Sequence, residues 1–100
     1  MDRIGEIIRK KREESGMLLR QLAALIDIDQ AILSKIERGE RKARKEQVLK
    51  IAEILKFNKK KLLIEYFSDI IAYDISKEDV AREVLKVAER KVEYLRNNKQ

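Results

Sequence analysis

The apolar positions recur mainly at spacings of three and four, the period of helices whose one face is buried. Ile4, Ile7 and Ile8 start such a stripe, which runs to about Arg12, and Gly16 is placed to cap its end. Leu19, Leu22, Ala23 and Ile26 make a short second stripe, interrupted at Asp27-Ile28-Asp29. Asp29 is a good N-cap for a third helix, Gln30 to Glu37, with Leu33 and Ile36 facing inward and Gly39 closing it. Val48, Leu49, Ile51, Ala52 and Leu55 mark a fourth helix from about Lys45. Asn58 can cap a fifth, in which Leu62, Tyr66 and Ile70 run beside Leu63, Phe67 and Ile71. So wide a double stripe predicts burial on more than one side. Asp74-Ile75-Ser76 reads as a break, and Ser76 with Asp79 as a capping box that opens a sixth helix to about Arg96. The aromatic residues Tyr66, Phe67 and Tyr73 lie at helical spacing among Leu and Ile, which favours core over a base-stacking platform.

Composition agrees with an all-α reading. The 100 residues include no Pro, and 42% are charged. A hydrophobic share of 44% suffices for a core, which argues against wholesale disorder. The absence of Cys removes disulfides and thiolate metal sites. The absence of His removes the usual general base and a common metal ligand. Neither a metal site nor a cofactor is expected. Glu89-Arg90-Lys91 superficially matches the Glu-x-Lys of a metal-dependent nuclease, but it sits in a helical stripe with no strand and no placed Asp, so no enzyme is expected. No apolar run approaches a membrane span and the start does not resemble a secretory signal, so a cytoplasmic protein is expected.

Charge narrows the partner. The formal net charge is +6, and residues 1–66 carry all of it, while residues 67–100 hold equal numbers of acids and bases. Its sharpest concentration is Arg38, Arg41, Lys42, Arg44 and Lys45 against a lone Glu40. Such a patch fits nucleic acid or an anionic membrane surface, with a plain solvated loop as the alternative.

Residues 19–37 read as helix, tight turn, helix. The run from Gly16 to Gly39, GMLLRQLAALIDIDQAILSKIERG, resembles the Cro/C1-type helix-turn-helix family, the xenobiotic-response-element class of bacterial and phage regulators. The resemblance rests on Leu22-Ala23, on Ile28 in the turn, on Gln30 opening the third helix and on Leu33-Ser34-Lys35-Ile36-Glu37-Arg38-Gly39. Val48 to Ala52 and Leu55 extend it, and together it covers residues 4–67. It implies a five-helix, lambda-repressor-like domain over 1–67 followed by an additional C-terminal helical extension, 68–100, for dimerisation or partner binding. It implies double-stranded DNA as the partner, a homodimer on paired half-sites and no membrane, and it leaves a small-molecule effector open.

Residue roles follow from the same resemblance. Base contacts fall on Gln30, Ala31, Ser34 and Lys35, with Ile32 beside Ala31 a further candidate for thymine methyls. Gln suits adenine and Lys suits guanine acceptors. Phosphate contacts fall on Arg38, Arg41, Lys42 and Arg44, which would supply affinity without sequence information. Arg12 and Glu37 form a structural ion pair. The chain departs from the family at Leu18 and Leu19, where a Ser or Thr cap and a phosphate-touching Gln are usual. It departs also at Asp27 for the turn glycine, at Asp29 for Ser or Thr, and at Ala43 for proline. The two leucines create an apolar surface, which motivates a second reading, an antitoxin-like protein-interaction module on the same fold.

Overall fold

A computed structural model describes residues 3–98. Among them the secondary structure is helical: α1 (Ile4–Glu14), α2 (Leu19–Leu25), α3 (Gln30–Glu37), α4 (Lys45–Ile54), α5 (Lys59–Ile75) and α6 (Ala81–Asn97). The chain divides into two compact units, Met1–Ile70 and Ile71–Gln100, with α5 running through the boundary.

Each of the first four helices ends the same way. Gly16, Asp27, Gly39 and Lys56 adopt positive φ just past α1, α2, α3 and α4. Beyond each, the next amide reaches back to a carbonyl in the last turn: Met17 to Arg12 at 3.1 Å, Ile28 to Ala23 at 3.0 Å, Glu40 to Lys35 at 2.8 Å and Phe57 to Ala52 at 2.8 Å. This satisfies carbonyls that the helix leaves open and turns the chain within two residues. Asp27 carries the left-handed turn where the family uses glycine, and Lys56 does so with no sequence cue at all.

The starts of α2 to α5 are closed by side chains. Asp29 accepts from the Ala31 amide at 2.8 Å, and Asn58 accepts from the Lys61 amide at 2.9 Å. Leu18 has no acceptor, yet α2 keeps half a capping box, because the Gln21 side chain accepts from the Leu18 amide at 2.8 Å. Gln47 does the same for Arg44 at the start of α4, again at 2.8 Å.

The first unit is built on two adjoining clusters of buried side chains. Ile8, Leu22, Ala23, Ile26, Leu33, Ile51 and Leu55 join α1 to α4, with Leu19 packed against them. Ile36, Ala43, Val48, Ala52, Leu62 and Tyr66 form the second, which seats the first half of α5. Fully burying one such aliphatic side chain contributes about 1.5–3 kcal/mol. Gly5, inside α1, is buried against the carbonyl oxygens of Ile36 and Glu37; a Cβ there would come within 2.7 Å of the Glu37 oxygen. Glycine is thus what lets α1 lie directly on the end of α3.

Three expectations need correction. The double stripe on α5 is buried on one side only: Leu62 and Tyr66 are buried, while Ile64, Phe67 and Ile71 stay exposed. The helix also continues through Asp74 and Ile75, with the Ser76 amide still bonded to the Ala72 carbonyl, so Ser76 closes the last turn of α5 rather than capping the next helix. The sixth helix starts at Ala81 behind Val80, with no side-chain cap. In the second unit no residue of α6 is buried.

Candidate nucleic-acid interface

The inner side of α3 is fixed before its outer side can be used. Leu33 and Ile36 are buried, and so is Glu37, at 5% exposure. A buried carboxylate must be paired. Arg12 of α1, itself 8% exposed, meets it with both arms of its fork: Nε donates to Oε2 at 2.8 Å and Nη2 to Oε1 at 2.9 Å. The remaining Nη1 donates to the Met17 carbonyl at 2.8 Å, in the turn that ends α1. Hydrogen bonding to Glu37 raises the guanidinium pKa further above its ordinary value, and this outweighs the lowering by burial. No buried side-chain nitrogen or oxygen lacks a partner among the described residues.

With that side held, α3 presents Gln30, Ala31 and Lys35 to solvent and Ser34 half-buried between them. These four share the face opposite Leu33 and Ile36, with Gln30 and Ala31 in the first turn. Ile32 does not share it. Its side chain packs against the second core cluster, so it is withdrawn from the exposed face.

The basic segment follows α3 directly. Arg38, Arg41, Lys42 and Arg44 are exposed. Arg38 leans on Glu40, with Nε 3.3 Å from Oε2, an exposed pair that solvent screens strongly. Arg41, Lys42 and Arg44 have no carboxylate partner among the described residues. Their loop has an anchor that the sequence did not reveal. Ala43 is buried, and its carbonyl accepts from the Tyr66 hydroxyl of α5 at 2.7 Å. Burial, with Glu46 nearby, raises the Tyr66 pKa, so the phenol stays protonated and keeps donating. Three residues on, Asp69 of α5 accepts from the Ile4 amide at 2.7 Å and closes the start of α1. A tyrosine and an aspartate in a helical stripe do not name such distant partners. Gly5 did leave a signal, because a lone glycine inside a helical pattern implies close packing.

Leu18 is half-exposed at the mouth of α2, whereas Leu19 turns partly into the core. The apolar surface there is therefore smaller than the sequence suggests. Among the described residues no group of carboxylates is arranged to hold a metal ion, Glu89 on α6 included.

A short helix clamped by its inner side, displaying an amide and an ammonium group outward beside an anchored basic loop, defines a class: a DNA-binding transcriptional regulator of the helix-turn-helix kind. The chain belongs to the helix-turn-helix family, Cro/C1 type, whose model matches residues 8–62. Among solved structures it is similar to the clp gene regulator ClgR from Corynebacterium glutamicum, at 29% identity and a TM-score of 0.57, over 85% of this chain and 88% of that one. It also shares a fold with a chain of the SinR protein/SinI protein complex, at 23% identity and a TM-score of 0.56, over 90% of this chain and 98% of that one. No curated protein sequence matches it. The family is one of transcription regulators rather than enzymes. No helix among the described residues is long and apolar enough to cross a membrane.

Proposed function

We propose that the chain binds double-stranded DNA sequence-specifically as a homodimer in the cytoplasm and acts as a repressor or controller of its own operon. In this reading α3 lies in the major groove. Gln30 and Lys35 read adenine and guanine edges, Ala31 meets a thymine methyl, and Ser34 lies at the groove wall. Arg38, Arg41, Lys42 and Arg44 hold the phosphates. The observation that carries the reading is the exposed row Gln30, Ala31 and Lys35 on a helix whose other side is tied down by Arg12 and Glu37.

Two surfaces support a second copy of the chain. In the first unit, Ile64 and Phe67 stand exposed on α5; in the second, Ile71, Val84, Leu85 and Val92 do. One recognition helix reads few base pairs, so a dimer would address two half-sites roughly 34 Å apart.

Selection of binding sites from random duplexes tests this directly, with half-site spacing read from the winners. Gln30→Ala should then cost about 1–3 kcal/mol on the selected site and relax preference at one position. If no preferred site emerges at low salt, specific binding is refuted. The competing protein-interaction reading then stands, resting on the exposed Leu18 and Leu25 of α2.

A further inference from the structure

We propose that Arg3, at the start of α1, is an additional phosphate contact that completes the basic surface after Gly39. The inference rests on the DNA-binding reading above and extends it to a residue outside the helix-turn-helix.

Placement comes first. Gly39 heads the basic segment with a φ of +76°, and a Cβ built on it would lie 2.5 Å from Arg3 Nη2, 2.9 Å from Cζ and 3.3 Å from Nη1. The guanidinium therefore rests against the Gly39 α-carbon. The positive φ is what calls for glycine here, and the bare α-carbon lets a cation from the other end of the sequence lie against the turn. Arg3 thus adds its charge to Arg38, Arg41 and Lys42 at the point where their loop begins.

The position is also prepared. Arg3 is the N-cap of α1 with extended backbone. The next amide, that of Ile4, is held by Asp69, and the residue after that is Gly5, packed on the carbonyls of Ile36 and Glu37. The backbone that carries Arg3 is thereby fixed to both α5 and α3, so only the side chain, and not the segment that bears it, has to be ordered on binding. Arg3 is exposed, and no carboxylate pairs with it among the described residues. A planar fork of donors without a counter-ion suits two oxygens of one phosphodiester.

A purely structural role predicts something different. The carbonyl end of α3 is the negative end of its dipole, which favours a nearby cation whether or not DNA is present. The two roles separate by salt dependence. Binding to a random-sequence duplex is followed by fluorescence anisotropy from low to moderate KCl, for the parent chain, Arg3→Ala and Arg41→Ala, with thermal melting of each protein. Loss of one phosphate contact reduces the slope of log affinity against log salt by about 0.9 and weakens binding roughly five- to tenfold near 0.1 M salt. Arg3→Ala is expected to show that loss with a melting temperature close to the parent's. A lowered melting temperature with an unchanged slope overturns the proposal in favour of the dipole role. If Arg41→Ala flattens the slope and Arg3→Ala does not, the Arg3 assignment falls while the DNA reading survives. If the parent chain does not bind duplex at all, both fall.

Discussion

Arg12 and Glu37 set the terms at the residue scale. Their fork of hydrogen bonds at 2.8 and 2.9 Å is buried, so each charge is tolerable only because the other is present. Replacing both by fitted apolar side chains could be neutral, but removing one strands a charge in the core at about 3–5 kcal/mol. Glu37→Ala should therefore lower the denaturation midpoint in urea by a large fraction of the total stability, and Glu37→Ala with Arg12→Met should recover part of it. A double mutant no better than the single one would show that the pair is not the source of the loss. Tyr66 is the second such residue. Its raised pKa means that the folded chain prefers the neutral phenol more than the unfolded chain does. The linked stability is complete below the unfolded value of about 10 and is lost as pH rises through the higher folded value. In an alkaline spectrophotometric titration the latest-ionising phenol should disappear in Tyr66→Phe. That variant should also lose about 1 kcal/mol, because the Ala43 carbonyl is left unpaired.

At the scale of elements, periodicity showed what local chemistry controls. The stripes placed the first four helices, and Asp29, Asn58, Gly16 and Gly39 marked their ends, because caps act within a few residues of themselves. The exposed row on α3 was also readable, since which face a residue occupies follows from spacing once Leu33 and Ile36 are assigned inward. What could not be read depends on distant partners. Lys56 adopts a left-handed turn because Leu55 and Phe57 are both drawn into the core. Ile32 leaves the exposed row because the second cluster accepts it. Tyr66 and Asp69 belong to this group too, each bonding backbone far away in sequence. Ser76 belongs here for a related reason: a Ser-x-x-Asp pattern is a capping box only where a helix starts just after the Ser, and here the amide of Ser76 still serves α5 while α6 begins at Ala81.

At the scale of the whole molecule, apolar surface left uncovered is the main unspent feature. Ile64, Phe67 and Ile71 are between 45% and 59% exposed, and α6 buries nothing while carrying Val84, Leu85, Val92 and Leu95. A 17-residue helix with no buried residue is marginal in water, so α6 is expected to gain its stability from association. For the homodimer proposed above, Phe67→Glu with Ile71→Glu should shift the chain to monomer in sedimentation analysis and weaken binding to paired half-sites far more than to a single one; an unaltered association state would exclude α5 as the contact. A last consequence follows from the Arg12–Glu37 pair. Its partners are separated along the chain by the whole of α2, so the pair cannot form until α1 and α3 have both come to rest. A half-assembled module would hold one naked charge against an apolar interior, a state penalised by several kcal/mol. Partial copies of the reading head are thereby disfavoured: a chain lacking α1 should not display a weaker version of the same surface but none at all.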